Sequence, residues 1–227
     1  MTTATRTPAP ARKTRPNVAV KYATEAIGTL ILVFTIGAAV RSGNPLAPLG
    51  IGAVLMAMVY AGGHVSGAHY NPAVTMAVLI RRRIDLREAI RYWVAQLGGA
   101  LAGAAVVAAV VPAAQSAAPY LTGHALVAAV AAEFVFTFAL SYVVLNVATS
   151  KDHPDNSFYG LAIGFTVLAG AVAVGGLSGA VFNPAVAVSG VLMGTLSGSV
   201  LWTYLVVQML AGAAAGIAFR ALNPTDN

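Results

Sequence analysis

The stretch Ser66-Gly67-Ala68-His69-Tyr70-Asn71-Pro72-Ala73 decides the fold, because a second stretch of the same form lies 112 residues further along the chain. That second stretch is Ser178-Gly179-Ala180-Val181-Phe182-Asn183-Pro184-Ala185. Other identities recur at the same offset: Ile51-Gly52 with Ile163-Gly164, Tyr92 with Tyr204, and Gln96 with Gln208. The 227-residue chain is therefore predicted to consist of two related halves, each carrying one copy of the motif.

The composition is that of a membrane protein. Hydrophobic residues make up 58% of the chain and charged residues only 9%, which is too little charge for the surface of a soluble domain. Apolar segments of about 20 residues, the length that crosses a bilayer, recur along the chain. We predict an all-α membrane protein with six transmembrane helices, at residues 23–42, 48–66, 89–111, 122–148, 158–177 and 199–220.

The apolar runs that follow the two motifs, at 71–80 and 183–194, are too short to span a bilayer. Equivalent positions of the two halves are separated by three predicted spans, which is an odd number. The halves must therefore sit upside down relative to each other, as an inverted repeat with a site near the membrane midplane. We assign residues 1–20 to a disordered basic tail, 21–222 to the membrane domain, with halves at about 21–111 and 122–220, and 223–227 to a polar tail.

The basic residues behind the formal net charge of +6 lie mostly on one side of the predicted membrane topology. With six spans, nearly all basic residues fall on the side of the membrane that holds both chain ends, and only Arg41 falls on the other. The positive-inside rule then predicts cytoplasmic termini in a cell membrane, with the lipid bilayer as the partner and no nucleic acid. The residues on the terminal side are Arg6, Arg12, Lys13, Arg15, Lys21, Arg81, Arg82, Arg83, Arg87, Arg91, Lys151 and Arg220.

Each Asn-Pro-Ala motif predicts the start of a helix. Asparagine suits the cap position, and proline suits the first helical position because its missing N–H is not needed there. Two such half-helices, re-entering from opposite faces, would meet with their positive dipole ends at the midplane. Asn71 and Asn183 would offer N–H donors to a passing solute, and a cation would meet a positive potential. An acceptor ladder is expected from the carbonyls of Gly67, Ala68, His69, Gly179, Ala180 and Val181.

These features resemble the aquaporin or major intrinsic protein family over about residues 20–220. The run Gly63-His64-Val65-Ser66-Gly67-Ala68-His69-Tyr70-Asn71-Pro72-Ala73-Val74-Thr75 is similar to the family's loop signature. The resemblance implies six tilted helices plus two half-helices, a homotetramer with one pore per subunit, and passive transport of water or small uncharged solutes. It implies neither enzymatic activity nor a cofactor, and we predict no catalytic residue and no metal site.

Glu25 and Glu133 lie within predicted spans, where a carboxyl group is costly and usually functional. One interpretation is an ion or proton site, as in secondary transporters. The other, which the resemblance implies and the repeat supports, is that each glutamate accepts hydrogen bonds from the re-entrant loop. Gln96 and Gln208 are expected to bond between helices or to the same loops. Either His64 or His69 could contact the pore.

The resemblance also implies a second narrowing on the outer side of the midplane. Spacing from the motifs places it at Ile51, Ala171, Ala180 and Val186. Most family members carry arginine directly after the second motif, where this chain has Val186, and water-specific members carry bulky aromatic and histidine side chains at the first two positions. Glycerol facilitators usually have aspartate where this chain has Ala187, and Tyr204-Leu205 replaces the Phe-Trp of water channels, which favours broader branches such as the nodulin-like members.

The four constriction residues supply no polar side-chain group, so we expect discrimination by size and desolvation rather than by charge. Water, glycerol, urea, hydrogen peroxide, ammonia and undissociated metalloid acids are all candidate solutes. Without the arginine, proton exclusion is expected to depend on the dipoles and asparagines at the midplane. Two other classes stay open from sequence: an ion- or proton-coupled transporter using Glu25 and Glu133, and a structural membrane protein with a closed pore.

Overall fold

Eight α-helices account for most of the structure, a computed structural model that describes residues 18–113, 118 and 120–226. Six of the described helices are long and apolar enough to cross a membrane, as the sequence predicted. Two nine-residue helices, α3 and α7, follow the Asn-Pro-Ala asparagines. The bounds are α1 Val18–Arg41, α2 Ala47–Ser66, α3 Pro72–Ile80, α4 Leu86–Val110, α5 Gly123–Thr149, α6 Tyr159–Ser178, α7 Pro184–Leu192 and α8 Leu201–Leu222, with a 3-10 turn at Gly198–Val200.

The boundary between the N-terminal tail and the membrane domain was predicted wrongly. Residues 18–20, which we assigned to the tail, form the first turn of α1. The Lys21 ammonium group lies 2.9 Å from Glu88 of α4, so this turn is held against the bundle. The remainder of that assignment, residues 1–17, lies outside the described residues.

Two other ends differ from prediction for local reasons. Helix α4 begins at Leu86 because the Asp85 side chain caps it, accepting from the Glu88 N–H at 2.8 Å. Helix α7 ends at Leu192 because Gly194 adopts a left-handed conformation with φ +72°, which the helix cannot continue through.

Helix packing repeats between the two halves. Helix α1 packs on α4 and α2 as α5 packs on α8 and α6, and α3 packs on α8 as α7 packs on α4. Helices α2 and α6 are equivalent to each other, and they meet across the pseudo-twofold axis. The inverted repeat inferred from the chain offset is thus present in three dimensions.

Two glycines allow α2 and α6 to approach closely. A Cβ atom placed on Gly52 would lie 2.8 Å from the carbonyl oxygen of Gly164, and one placed on Gly164 would lie 2.5 Å from that of Gly52. These residues are the Ile-Gly pair that recurs in the sequence at an offset of 112. In lipid, where no hydrophobic force drives helices together, such close backbone contact is a main source of association.

Charged contacts define two faces of the bundle. On the inner face, which we define as the face holding residues 18 and 226, Lys21 pairs with Glu88 and Arg81 pairs with Asp226. On the outer face, Arg41 contacts the ends of α4 and α7. Between these faces the helices expose large apolar side chains such as Ile27, Val172 and Trp202, as a lipid-facing surface requires.

Candidate pore

The two half-helices begin as the motif chemistry predicts. Asn71 and Asn183 have extended backbones, with φ of −155° and −157°, and each side-chain oxygen accepts a hydrogen bond from the alanine N–H two residues later. Pro72 and Pro184 occupy the first helical position, where no N–H is required. Both half-helices therefore point their positive ends at the centre of the bundle.

The two asparagines also join the halves. Asn71 Nδ2 donates to the Phe182 carbonyl at 2.9 Å, and Asn183 Nδ2 donates to the Tyr70 carbonyl, also at 2.9 Å. An asparagine amide carries two N–H bonds, so each side chain keeps a second donor after this crossed contact. Both residues line the same central cavity, toward which a second donor can be offered.

The loops before the half-helices turn repeatedly instead of running as extended chain. Positive φ angles occur at matching places in both loops, on Gly67, Ala68 and Tyr70 and on Gly179, Ala180 and Phe182. A non-glycine residue in this conformation costs about 1–3 kcal/mol and persists only where its surroundings impose it. The left-handed residues turn successive backbone N–H groups toward a buried glutamate.

Glu25 and Glu133, both fully buried, hold these loops through the same set of four donors. Glu25 accepts from the Ser66 hydroxyl, the His69 and Tyr70 N–H groups, and the Gln96 amide, at 2.7 to 2.9 Å. Glu133 accepts from Ser178, Val181, Phe182 and Gln208 over the same range. Each carboxyl oxygen receives two donors, and three of the four donors at each glutamate are N–H groups, which cannot accept a carboxyl proton; this is the pattern expected of an ionised carboxylate.

Two tyrosines complete each support. The Tyr92 and Tyr204 hydroxyls donate to the carbonyls of Ser66 and Ser178, at 2.5 and 2.9 Å. Both rings are buried, and they occupy equivalent positions in the repeat. The contacts around both glutamates are those of the structural interpretation, in which the carboxyl groups shape the loops.

Three cavities lie along the axis between the helices. The central cavity, of about 40 Å³, is lined by Asn71, Asn183 and apolar residues of α1, α2, α5 and α6. An outer cavity of about 100 Å³ shares five lining residues with it, and an inner cavity of about 260 Å³ begins one helical turn away on α2, α5 and α6. The shared residues are Ile36, Ile51, Ala180, Val181 and Val186.

The outer cavity brings together the four residues assigned to the constriction. Ile51, Ala171, Ala180 and Val186 come from α2, α6, the second loop and α7, and all line this space. The sequence did not identify Ile36, Val40, Thr195 and Leu196, which also line it. Thr195 brings a hydroxyl to this wall, although its Oγ1 is bonded to the Gly190 carbonyl at 3.2 Å.

The six residues of the proposed carbonyl ladder are distributed over all three cavities. Gly67 lines the inner cavity, Ala68 and His69 the central one, and Gly179, Ala180 and Val181 the outer one. Within the described part of the chain, none of their carbonyls accepts a hydrogen bond. Such free acceptors on irregular backbone are tolerated at membrane depth where the chain lines a cavity.

The inner cavity contains polar residues that sequence reasoning missed. His153, Asp155 and Asn156 of the loop between α5 and α6 line it together with His64. In the sequence this loop is recognisable only as a polar segment. Its position over the cavity depends on tertiary packing. Across the residues that the structure describes, no group of three or more potential ligands is arranged to hold a metal ion.

The repeat is asymmetric at one wall position. His69 Nδ1 lies 3.0 Å from Thr75 Oγ1 in the first half, whereas the equivalent positions of the second half hold Val181 and Ala187. The wall of the central cavity therefore carries one polar side chain in the first half, His69, where the second half has Val181.

Comparison with known proteins gives the same picture along most of the chain. The family description "Major intrinsic protein" matches residues 11–219. Aquaporin NIP1-4 of Oryza sativa subsp. japonica is 40% identical over 166 residues, which is 73% of this chain and 60% of that relative. Glycerol uptake facilitator protein-like 6 of Lactiplantibacillus plantarum is 36% identical over 215 residues, covering 91% of this chain and 99% of the relative.

Two further similarities concern a plant protein and a solved structure. Nodulin-26 of Glycine max is 33% identical over 216 residues, covering 91% of this chain and 75% of its own. The X-ray structure of the aquaglyceroporin from Plasmodium falciparum superposes with a TM-score of 0.71, covering 92% of this chain and 96% of that one. At 22% identity, this superposition establishes a common fold.

Proposed function

The chain belongs to the major intrinsic protein family, and from that membership we propose which solutes its passive channel admits. It is an integral membrane channel for water and small uncharged solutes. We propose that its outer constriction selects among these solutes by size and by the cost of removing their hydration water. Glycerol, urea and undissociated metalloid acids are then admitted along with water.

One observation carries this proposal. Ile51, Ala171, Ala180 and Val186 line a single outer cavity, and three of them also line the central cavity beside Asn71 and Asn183. A solute moving inward would pass apolar side chains before it reached the asparagine donors at the midplane. With two alanines among the four positions, the narrowing lacks the bulk that would exclude a molecule larger than water.

The relatives support a broad solute range. One relative, 36% identical, is named glycerol uptake facilitator protein-like 6, and two others are named Aquaporin NIP1-4 and Nodulin-26. Glycerol transport in this chain cannot depend on the aspartate that glycerol facilitators usually carry, because Ala187 occupies that position. The apolar lining of the outer cavity provides a different physical reason for glycerol to pass.

Stopped-flow light scattering on proteoliposomes tests the proposal. We expect water flux above that of empty vesicles, and glycerol and urea fluxes that are also raised and do not saturate. A protein that conducts water but leaves glycerol and urea at the lipid background would contradict the broad selectivity. Uptake that saturates and follows an imposed pH gradient would instead favour the coupled transporter.

The membrane orientation and assembly belong to the same proposal. The inner face carries most basic residues, so the positive-inside rule favours cytoplasmic termini in a cell membrane. A homotetramer with one pore per subunit is the family arrangement, and the exposed apolar helix faces offer the surface for it. Tag accessibility in intact cells and native mass spectrometry test these two points separately.

A further inference from the structure

Arg41 is placed where three helices end. It is the last residue of α1, its Nε and Nη2 donate to the Met193 carbonyl at 3.0 and 2.7 Å, and its Nη1 donates to the Val111 carbonyl at 3.2 Å. Met193 is the C-cap of α7 and Val111 is the C-cap of α4. One guanidinium group thus joins the C-terminal ends of α1, α4 and α7 on the outer face.

Helix C-termini are negative. Each carries the equivalent of about −0.5 elementary charge within its last turn, but α2, α5 and α8 begin on the same face with about +0.5 each, so the helix dipoles of the outer face nearly cancel. The guanidinium group of Arg41 donates to carbonyls at two of the negative ends, and its full positive charge remains as the net charge of this face.

The inner face has the same arrangement with one difference. Arg81, the C-cap of α3, donates to the Thr149 hydroxyl and carbonyl at the end of α5, at 3.3 and 3.4 Å. In the repeat, Arg81 corresponds to Met193 and Thr149 corresponds to Arg41. The two contacts are therefore equivalent, but the arginine lies at the end of the half-helix on the inner face and at the end of the long helix on the outer face. Arg81 is itself neutralised by Asp226 at 2.7 Å, whereas Arg41 forms no ion pair with any described residue.

Arg41 is also the only Asp, Glu, Lys or Arg residue that the sequence places on the outer face. The outer connections, 42–46, 111–122 and 193–200, contain no Asp, Glu, Lys or Arg. Its chain neighbour Val40 lines the outer cavity, and so does Thr195, two residues after the carbonyl that Arg41 binds. Arg41 itself does not line this cavity, so its charge lies behind the wall that Val40 and Thr195 form, on the outer side of a constriction that has none.

We propose that Arg41 determines the charge selectivity of the outer mouth. It supplies from the end of α1 the cation repulsion that Val186 and its neighbours cannot supply. The inference rests on the proposed function only in taking the outer cavity as the outer end of the pore. A unit charge within a Debye length, about 10 Å at 0.1 M salt, changes local monovalent cation concentration roughly 2-fold to 20-fold for effective dielectric constants from about 80 to 20.

Guanidinium and urea form a matched pair of solutes for the test, because they share size and planar shape and differ in charge. The wild-type protein and the variants Arg41→Gln, Arg41→Lys and Arg87→Gln are each reconstituted into proteoliposomes of uncharged lipid. Guanidinium and urea fluxes are then measured at low ionic strength. Arg87 is an exposed arginine of the inner face, so its replacement makes the same change in net charge elsewhere.

We expect Arg41→Gln to raise the guanidinium-to-urea flux ratio about 2-fold to 20-fold. Arg41→Lys, which keeps the charge but not the two-carbonyl geometry, and Arg87→Gln are expected to retain the wild-type ratio. An unchanged ratio in Arg41→Gln overturns the proposal, and so does an equal change in water, urea and guanidinium flux, which a purely structural role would produce.

The wild-type protein provides a second test that needs no variant. Raising the ionic strength screens the charge of Arg41, so the wild-type ratio should increase toward that of Arg41→Gln. A ratio independent of salt contradicts the proposal even if Arg41→Gln cannot be reconstituted. Failure of water and every neutral solute to pass would count against the proposed function, whatever guanidinium does.

Discussion

Val186 shows how one side chain separates architecture from selectivity. It follows the Asn-Pro-Ala motif that starts α7, it is 6% exposed, and it lines both the outer and the central cavity. Its surroundings are apolar, including Ala185, Val107 and Met193. If the proposed constriction lies here, the residue at this position determines whether it carries charge and hydrogen-bond donors or neither.

Replacing this residue tests the apolar constriction. Val186→Arg adds a long, charged side chain to the outer cavity, so we expect glycerol and urea fluxes to fall at least several-fold while water flux falls less. Proteoliposome swelling assays measure both, and Val191→Arg, in the same helix but outside the cavity lining, is the matched control. Unchanged glycerol and metalloid-acid fluxes in Val186→Arg would rule out the assigned constriction.

The two buried glutamates also act at the scale of single residues. Glu133→Gln replaces one acceptor oxygen by an N–H₂ group that faces other donors, which removes two of the four hydrogen bonds. Hydrogen bonds to charged groups contribute about 1.5–3 kcal/mol each, so we expect the folded state to lose roughly 3 kcal/mol or more. Thermal unfolding in detergent measures the loss.

Glu88→Gln is the control for Glu133→Gln. Glu88 forms a partly exposed ion pair with Lys21, and such pairs contribute about 1 kcal/mol or less. A Glu133→Gln protein that unfolds like wild type, yet no longer responds to a pH gradient, would favour the transporter interpretation over the structural one.

Each half-helix is a short element that tertiary contacts complete. A nine-residue helix is marginal by itself in water, where isolated helices need about 12–15 residues. Here α3 is capped by Asn71 at one end and by contacts of Arg81 at the other, and it packs against α8. The loop before it has strained backbone, which Glu25 stabilises through two N–H groups.

Contact between α2 and α6 is sensitive to side-chain size. Gly164→Val would place a Cβ 2.5 Å from the Gly52 carbonyl oxygen and 2.7 Å from Met56 Cβ, so the helices must separate. Overpacking of this kind costs about 1–3 kcal/mol. We expect a lower unfolding temperature and reduced water flux per molecule, whereas Gly175→Ala on the same helix, with open space at that position, should behave as wild type.

At the scale of the whole molecule, the C-terminal segment is attached to the inner face. We described residues 223–227 as a polar tail, but Asp226 is only 3% exposed. Its carboxyl group pairs with Arg81 and accepts from the Lys151 N–H at 3.0 Å. This contact joins the end of the chain to the loop whose residues His153, Asp155 and Asn156 line the inner cavity.

The stability of this attachment should depend on pH. Burial favours the neutral carboxyl and raises the pKa of Asp226, but hydrogen bonds from the Lys151 N–H, Ser150 and Arg81, together with the Arg81 charge, lower it more, and the net pKa lies below the ordinary 3.8. The stabilisation is therefore present above pH 3.8 and is lost as pH falls through the depressed pKa.

Asp226→Asn tests this linkage. We expect the variant to unfold at a lower temperature than wild type at pH 7, and the difference to shrink as the pH falls below 3.8. Asp152→Asn, which changes an exposed carboxyl of the neighbouring loop, serves as control. A difference that stays constant over this pH range would mean that the carboxylate charge of Asp226 does not contribute.

Local sequence patterns predicted the helices because the forces that start and end a helix act between residues that are close in the chain. Six spans followed from apolar length, and two helix starts followed from asparagine and proline, whose effects act within a few residues. The chain offset of 112 predicted the inverted repeat, since it counts the spans between equivalent residues. The left-handed loop backbone was missed because only the buried glutamates impose it on non-glycine residues.

By itself, therefore, the sequence determined the spans, the half-helices, the repeat and the absence of charged residues at the positions proposed for the constriction, all of which depend on residue type and spacing. Only the tertiary structure decided what the loops and the C-terminal segment contact within the described residues. Arg41 meets carbonyls 70 and 152 residues away, and Asn71 meets one 111 residues away. Such contacts depend on how helices pack in space, which has no counterpart in the spacing of residues along the chain.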